Sequence, residues 1–322
     1  MRNKQTATII YNPLAGPADM ATTIDRVADF WRGREWTVDV QPTQYAGHAV
    51  ALAREAAQAG TRLVLAAGGD GTLGEVANGL AGTTTVMGPL PTGTGNSFGK
   101  ELRMPRPNLI DHRALVEAAA LLSSGRVYRM DLGRFERGKY WLLWTGTGVD
   151  SYVVDRMEPR SKWSKRLGPV GYAAEAISIA PRFPPMEAVV TIDGRTFEDT
   201  FLLVLVTNCR RFAGGEVMLN PQGRLDDGLF EVFLFRGHGA AKTFNYLWQV
   251  WRGQHGENPD ITVVSGKRVQ VQTDHTMPVH TDGDPAGHTP FTCYIEPAAL
   301  RLLVPRTAPS GLFSGPGLSL LP

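Results

Sequence analysis

The chain has 322 residues, enough for two domains, with 20% charged residues and a formal net charge of +2. The nearly neutral balance argues against a nucleic-acid partner, and only two cysteines, Cys209 and Cys293, argue against a disulfide-stapled secreted protein. No apolar run approaches the roughly 18 residues that span a bilayer, and the N-terminus lacks a signal-peptide pattern. The sequence therefore predicts a cytoplasmic globular protein.

The first 130 residues alternate short apolar runs with segments of helical periodicity. This alternation predicts an α/β domain in which a parallel sheet carries helices on both faces. The predicted strands are 7–11, 36–40, 63–67 and 84–90, and the predicted helices are 20–32, 47–59, 73–80 and 113–124.

A glycine-rich loop joins the third strand to its helix and reads Gly68, Gly69, Asp70, Gly71 and Thr72. Glycines let the backbone approach a ligand closely, and a helix N-terminus attracts phosphate. The threonine is expected either to cap the helix or to donate to a phosphate oxygen. The aspartate fits either a position beside Mg²⁺ or a role as the acceptor that fixes the loop. A turn without a ligand is the remaining alternative.

A second glycine-rich loop follows the fourth strand, from Pro91 to Lys100. A dinucleotide fingerprint would need glycine in place of Phe98, and a Walker A loop would need glycine in place of Thr94 and Ser or Thr in place of Glu101. Neither a Rossmann dehydrogenase nor a P-loop ATPase is therefore supported. Two such loops at neighbouring strand ends predict a polyphosphate site.

Beyond residue 125 the chain changes to short strands separated by Asp–Gly turns. This pattern predicts a mainly β domain, either a sandwich or a barrel. The predicted strands are 127–132, 140–144, 188–192, 201–207, 229–235, 268–272, 291–295 and 300–304, and the predicted helices are 165–180 and 240–251. The domain boundary is placed near residue 130.

Six short motifs, taken together and in this order, resemble the diacylglycerol kinase catalytic-domain family, which includes soluble bacterial diacylglycerol kinases and sphingosine kinases. They are Asn12-Pro13 with Gly16, Gly68-Gly69-Asp70-Gly71-Thr72, residues 91–98, Asp131-Leu132-Gly133, Leu225-Asp226-Asp227-Gly228 and Asp282-Gly283-Asp284. The resemblance covers about residues 6–305. It implies an α/β nucleotide-binding domain over 1–130, to which 305–322 return, and a β-sandwich lipid domain over 131–304, with the active site between them.

The resemblance also implies cofactors, ATP and Mg²⁺. ATP would be held by Asn12, Pro13, Gly16, Thr43, Gly68, Gly69, Asp70, Gly71, Thr72 and Thr94. Asp131 would lie near the γ-phosphate and a catalytic Mg²⁺. Asp227, with the backbone carbonyls of Arg224 and Leu229, would hold a second, structural Mg²⁺, because hard oxygen ligands suit this ion. A plain hairpin turn around residue 227 is the alternative.

Asp284 stands where the family usually has a glutamate, the proposed general base, and Gly74 stands where the family usually has an asparagine. The implied enzyme is an ATP-dependent lipid kinase that phosphorylates the hydroxyl of diacylglycerol or a related lipid alcohol, with Asp284, Asp131 and Asp70 as its catalytic carboxylates. Two alternatives stay open. NAD kinases share the Gly-Gly-Asp-Gly-Thr loop, and the shorter arm of Asp284 is compatible with a weak or inactive lipid-binding protein of the same fold.

A group of cations precedes the predicted helix 165–180 and suits anionic lipid headgroups, although a solvated loop explains it equally well. Its members are Arg156, Arg160, Lys162, Lys165 and Arg166, around Trp163. The sequence thus predicts a cytoplasmic enzyme with a lipid alcohol as substrate, peripheral contact with the membrane surface and no nucleic-acid partner. A homodimer is left open.

Overall fold

The computed structural model describes residues 5–16, 20–105, 113–156, 178–179 and 183–320. The chain forms two compact units. Unit 1 comprises Met1–Leu132 and Pro297–Pro322, and unit 2 comprises Gly133–Glu296. The sequence placed the boundary after residue 130 and the return at 305, whereas the units divide after 132 and after 296. Both crossings fall inside strands, so no linker composition marks them.

Unit 1 is built on a parallel sheet in the order β2–β1–β3–β4, and the end of β17 adds a further parallel strand beside β4. Every residue of β3 and β4 is buried, which explains their continuous apolar runs. The predicted α/β class is confirmed. The strands are β1 (Thr6–Tyr11), β2 (Thr37–Pro42), β3 (Leu63–Gly68), β4 (Val86–Pro91), β5 (Arg126–Phe135), β17 (Phe291–Val304) and β18 (Leu318–Ser319).

The helices of unit 1 pack in pairs, α1 with α5 and α2 with α3. They are α1 (Met20–Arg32), α2 (His48–Gln58), α3 (Asp70–Leu80), α4 (Ser97–Glu101) and α5 (Ala114–Ser123). Gly79 sets the close approach of α2 and α3, because a Cβ there would lie 2.6 Å from the carbonyl oxygen of Val50. Gly79 is therefore a packing residue inside α3.

Unit 2 is mainly antiparallel, with the strand order β16–β15–β7–β9–β8–β14–β17, and β12 pairs with both β9 and β13. The predicted mainly β second domain is confirmed. Its remaining strands are β6 (Tyr140–Trp141), β7 (Trp144–Gly148), β8 (Met186–Ile192), β9 (Arg195–Thr207), β10 (Arg211–Phe212), β11 (Val217–Met218), β12 (Phe230–Arg236), β13 (Ile261–Gly266), β14 (Arg268–Thr273), β15 (Pro278–Thr281) and β16 (Asp284–His288), and its helices are α6 (Val149–Arg156), α7 (Ala240–Arg252) and a 3-10 turn, His255–Glu257.

Several predicted elements of unit 2 differ from the structure. The predicted strand 140–144 is two strands, and the predicted strands 291–295 and 300–304 are one, because β17 accommodates Pro297 next to Ala298 at φ 54°. Strands β13, β15 and β16 were missed, since they are short or lack a sustained apolar run. The predicted helix 165–180 lies outside the described residues apart from 178–179, which are helical.

Candidate active site

The parallel strands of unit 1 all end at one edge of the sheet, and there the residues that follow them are tied together through their backbones. The N–H groups of Asn12, Thr43 and Thr92 donate to carbonyl oxygens of the neighbouring strands at 3.0, 2.8 and 2.9 Å, respectively. Loops that follow parallel strands at such an edge are the usual ligand-binding segments of open α/β sheets. The structure thus aligns three of the segments that the sequence singled out.

Glycines let these loops lie against each other. A Cβ on Gly93 would lie 2.6 Å from the Cα of Gly69, and a Cβ on Gly68 would lie 2.4 Å from the Cβ of Thr72. Gly16 has φ +113°, and a Cβ there would lie 3.1 Å from the carbonyl oxygen of Thr92. Side chains are therefore excluded where the loops meet, and the edge presents backbone.

Helix α3 begins at Asp70, three residues earlier than predicted, and its N-cap is Gly69 without a side-chain capping bond. The expectation that Thr72 caps the helix is wrong. The side chain of Thr72 lies against Gly68 instead. Gly71 belongs to the first turn, whose unpaired N–H groups and partial positive charge favour an anion such as phosphate.

Asp70 joins the two glycine-rich loops. Its carboxylate oxygens accept the backbone N–H groups of Ser97 at 2.9 Å and of Phe98 at 3.1 Å, so the side chain caps the start of α4. Gly95 passes close to the same carboxylate. These contacts favour the interpretation of Asp70 as the acceptor that fixes the loop over a position beside Mg²⁺.

Glu75 caps the start of α2 in the same way that Asp70 caps the start of α4. Its carboxylate accepts the N–H groups of Gly47 at 2.8 Å and of Ala49 at 3.2 Å. Glu75 thereby holds the segment that follows Thr43. Two carboxylates of α3 therefore fix the loops on either side.

The second loop contains buried polar atoms that have no partner among the described residues, namely Thr92 Oγ1 and Asn96 Oδ1. Asn96 has φ 51°, and its Nδ2 donates to the carbonyl oxygen of Gly93 at 2.5 Å. Thr94 is exposed on the same loop. A buried hydroxyl without a hydrogen-bond partner is costly unless a ligand or water supplies one. A phosphate oxygen can accept that hydrogen bond, so this edge fits a bound phosphate group.

In unit 2 the turn Asp282–Gly283 joins β15 to β16 as a two-residue hairpin, with φ 53° and 86°. The carboxylate of Asp282 accepts three backbone N–H groups of residues 142–144 at 2.8, 2.7 and 3.1 Å. The next residue but one, Asp284, is exposed and opens β16. Asp282, which the sequence did not single out by itself, thus anchors the hairpin that presents Asp284.

A buried pair lies beneath this hairpin. His280 Nε2 is 2.7 Å from Asp150 Oδ2, with side chains only 3% and 4% exposed. Asp150 also accepts the N–H of Ser151 at 2.6 Å, and His280 Nδ1 is buried without a partner among the described residues. The pair connects the first turn of α6 with β15. No local pattern in the sequence indicates this pair, because the two residues are 130 positions apart.

Asp131 is buried within β5, and its Oδ1 accepts the N–H of Ala298 at 2.7 Å. The carboxylate therefore ties β5 to β17 inside unit 1. Asp131 lies inside the strand rather than at its end.

Asp227 Oδ1 accepts the N–H of Leu229 at 3.1 Å, which closes a local turn. Partial burial, with Asp226 nearby, raises the pKa of Asp227 above its usual value. Burial, followed by the charge of Asp227, raises the pKa of Glu231 to about 7, and a hydrogen bond from Asn220 opposes this shift. Two carboxyls in such a setting fit a hard cation such as Mg²⁺.

Within the part of the chain that the structure describes, no group of three or more His, Cys, Asp or Glu side chains could hold a metal ion. A Mg²⁺ ion at Asp227 would therefore also need backbone oxygens or water, as this ion often does. Glu231 was missed because nothing in the local sequence shows that its side chain meets Asp227.

The predicted cationic group lies outside the described side chains, since only the backbone of its first member, Arg156, is described. Across 5–16, 20–105, 113–156, 178–179 and 183–320, no helix is long and apolar enough to cross a membrane.

Two protein-family models match the chain. The model of the diacylglycerol kinase catalytic domain matches residues 6–135. The model of the YegS C-terminal NAD kinase beta sandwich-like domain matches residues 144–304, which is half of the chain. The two matches occupy most of the sequence and correspond in order to the two units.

Curated relatives include a protein named diacylglycerol kinase from Bacillus subtilis (strain 168), 29% identical over 286 residues, 88% of this chain and 91% of the relative. Another with the same name, from Staphylococcus carnosus (strain TM300), is 27% identical over 89% of this chain and 91% of its own. A crystal structure of a diacylglycerol kinase from Bacillus anthracis str. Sterne has a TM-score of 0.72 at 23% identity and covers 96% of this chain and 100% of its own. A further crystal structure from that organism reaches 0.79 at 24% identity, over 96% and 98%. These structures support the fold alone.

Proposed function

Because the chain belongs to the diacylglycerol kinase catalytic-domain family and is thus a transferase of the lipid-kinase type, we propose that it transfers the γ-phosphate of ATP to the hydroxyl of diacylglycerol or of a related lipid alcohol. The family resemblance and the enzyme class predicted from the sequence are confirmed. We propose, in addition, the identity of the nucleotide, the metal and the lipid, and the roles of individual residues.

The observation that carries the proposal is the edge of unit 1, where Asp70 binds the backbone of α4 and holds the two glycine-rich loops together. Their N–H groups and the partnerless hydroxyl of Thr92 can donate to phosphate oxygens, and the close approach of Gly69 and Gly93 leaves no side chain in the way. We assign the ATP phosphates to this edge, with Asn12, Pro13, Gly16, Thr43, Gly68, Gly69, Asp70, Gly71, Thr72 and Thr94 as the binding set.

ATP supplies the phosphoryl group, and Mg²⁺ neutralises its charge. The chain's own contribution is to position the phosphates and to remove a proton, since positioning and charge neutralisation account for most of the rate in phosphoryl transfer. Asp284 is exposed on an anchored hairpin and is assigned as the general base that accepts the proton of the lipid hydroxyl. Asp131 is assigned to the γ-phosphate end of the site.

We assign a second Mg²⁺ site to the turn around Asp227. There the carboxylate of Asp227, the backbone carbonyls of Arg224 and Leu229, and the neighbouring carboxylate of Glu231 would hold a structural ion. The raised pKa values of the two carboxyls support this assignment, because a nearby cation would offset the burial that raises both pKa values and the charge of Asp227 that adds to the shift of Glu231.

We place the enzyme in the cytoplasm, in peripheral contact with a membrane, because a diacylglycerol hydroxyl lies at the bilayer surface. The test is ATP-dependent phosphorylation of a panel that contains dispersed diacylglycerol, ceramide, sphingosine and NAD, with γ-labelled ATP. We expect label in diacylglycerol or another lipid alcohol and none in NAD. Labelled NAD would establish the NAD kinase alternative, and ATP left unconsumed with every lipid would establish the inactive lipid-binding protein.

A further inference from the structure

One face of α7 carries large aromatic side chains that the described residues leave exposed. Phe244, Trp248 and Trp251 are 59%, 48% and 71% exposed. They are spaced four and three residues apart, so they form a single stripe along the helix. Scattered exposed apolar residues need no explanation, but a contiguous aromatic stripe of this kind marks an interaction surface.

The opposite face of α7 is firmly held. The hydroxyl of Tyr246 donates to the carbonyl oxygen of Arg236 at 2.6 Å, and its ring packs edge-on against Phe235 with centroids 5.4 Å apart. Lys242 forms an ion pair with Asp260. The aromatic stripe is therefore the outward face of a well-anchored helix, and its exposure does not result from loose packing.

Arg252 is the cation that lies beside the stripe, whereas Arg236 and Lys242 are ion-paired with Asp199 and Asp260. From residue 232 to residue 256 the sequence contains no Asp or Glu, whereas it contains Arg236, His238, Lys242, Arg252 and His255. The Arg252 guanidinium carbon lies 5.7 Å from the centroid of the Trp248 ring, and the Trp248 and Trp251 rings are 5.4 Å apart. Tryptophan next to arginine, on a helix that itself contains no acidic residue, is the composition of a helix that lies in a membrane interface.

We propose that α7 docks on the surface of a bilayer that contains anionic lipid, with Phe244, Trp248 and Trp251 in the headgroup region and Arg252 at the lipid phosphates. A second copy of this face is a poorer partner, because it would bring two Arg252 side chains together and α7 itself contains no carboxylate to pair them. The inference rests in part on the proposed function, since a diacylglycerol substrate requires the enzyme to reach a bilayer.

Co-sedimentation with vesicles tests the docking. The full chain is mixed with vesicles of phosphatidylcholine alone or with an equal part of phosphatidylglycerol. The variant Trp248→Ser/Trp251→Ser is expected to bind the anionic vesicles about 100-fold more weakly, about tenfold for each ring removed from the interface. Arg252→Gln should reduce the preference for anionic vesicles. The matched control is Val263→Ser, which removes an exposed apolar side chain from β13 in the same unit and should bind as the parent does.

Melting curves show whether the variants fold, and we expect them unchanged because the replaced rings are exposed. The kinase assay is then run with diacylglycerol in vesicles and in detergent micelles, and the double variant should lose rate only in vesicles. If the parent phosphorylates no lipid in either form, the proposed function fails, while sedimentation still decides the docking. The docking proposal is overturned if the parent does not sediment with anionic vesicles, if the double variant sediments equally well, or if the substitutions convert a dimer into a monomer without changing vesicle binding.

Discussion

Two hairpins of unit 2 are closed by the same type of Asp–Gly turn. In the β8–β9 hairpin Asp193 and Gly194 have φ 46° and 85°, and in the β15–β16 hairpin Asp282 and Gly283 have φ 53° and 86°. In both, the aspartate N–H donates to a carbonyl at the start of a neighbouring strand, and its carboxylate accepts N–H groups from the same segment. Identical turn chemistry thus fixes two hairpin tips.

The hairpins differ in what surrounds the turn. Asp193 is exposed and accepts two N–H groups, whereas Asp282 is half-buried and accepts three. The residue after the first turn is Arg195, and the residue after the second is Asp284, in the hairpin whose His280 pairs with the buried Asp150. The first hairpin lies within the sheet, between β7 and β14. The second presents a carboxylate on a stiffened support, which is the arrangement that a general base requires.

The largest difference between the two hairpins should appear in catalysis. Asp284→Asn keeps the side-chain volume but removes the base, so we expect the rate of lipid phosphorylation to fall about 10²- to 10⁴-fold. Arg195→Gln, at the matching position of the other hairpin, should change it less than about twofold. Initial rates with saturating ATP measure both. Equal activity of Asp284→Asn and the parent would remove Asp284 from the mechanism.

Asp284→Glu refines the same comparison. It restores the residue that the family resemblance places here and extends the carboxylate by one methylene. We expect the variant to retain or exceed the parental rate. If the parent is inactive and Asp284→Glu creates activity, the natural chain is the lipid-binding protein that the sequence left open.

The anchoring carboxylates should differ in their effect on stability. Asp282→Ala removes three charge-assisted hydrogen bonds from half-buried N–H groups, so we expect the free energy of unfolding to fall by about 3 kcal/mol. Asp193→Ala removes two exposed ones, which solvent screens, and should cost about 1 kcal/mol. Urea unfolding measures both. Only Asp282→Ala should also lower kcat, because it frees the strand that carries Asp284, and equal losses in both variants would contradict the comparison.

The pattern of the strands predicted the fold, whereas contacts between distant residues set the details of the site. The fully apolar run Leu63–Ala67 and the glycines after it predicted a buried strand and a loop at the sheet edge, and both are present. Asp70 left two interpretations open, because its partners Ser97 and Phe98 lie 27 and 28 residues away. Hydrophobic periodicity predicts local structure, so it cannot predict a contact between residues that are this far apart in the sequence.

Unit 2 shows the same limit. The pairs Asp193–Gly194 and Asp282–Gly283 are strong turn signals and were identified, but β16 was missed, because Pro285 and Gly287 are poor strand formers. The function of Asp282 depends on residues 142–144, which come before it by about 140 positions. Glu231 was missed for the same reason, since only the fold brings its side chain to Asp227.

The buried pair beneath the second hairpin provides a smaller test. His280→Ala leaves Asp150 with its backbone partner at Ser151, so we expect a loss of about 2 kcal/mol rather than the full effect of an unpaired buried charge. Thr191 occupies the matching position two residues before Asp193 and is partly exposed, and Thr191→Ala should cost less than about 0.5 kcal/mol. Thermal unfolding of the two variants measures both losses of stability. A neutral His280→Ala would show that the pair does not support the hairpin.

The third Asp–Gly turn, Asp227–Gly228, extends the comparison, because its carboxylate faces its own turn and Glu231 instead of a neighbouring strand. The pKa of Glu231 is raised from 4.5 to about 7, so the folded state holds a proton that the unfolded state releases. Stability is therefore expected to fall as the pH rises from about 4.5 to about 7 and then to level off, by about 1 kcal/mol after screening by solvent.

Glu231→Gln should remove this pH dependence, and Mg²⁺ should oppose it in the parent, because the ion binds the deprotonated carboxylates. Melting temperatures at pH values on either side of the transition, with and without millimolar Mg²⁺, test both statements. The matched control is Glu198→Gln, at an exposed position of β9. We expect the parent and the control to gain stability from Mg²⁺ chiefly above pH 7, and Glu231→Gln and Asp227→Asn to gain little. If the parent melts at the same temperature with and without Mg²⁺, Asp227 closes its own turn and holds no metal ion, as Asp193 does in its exposed turn.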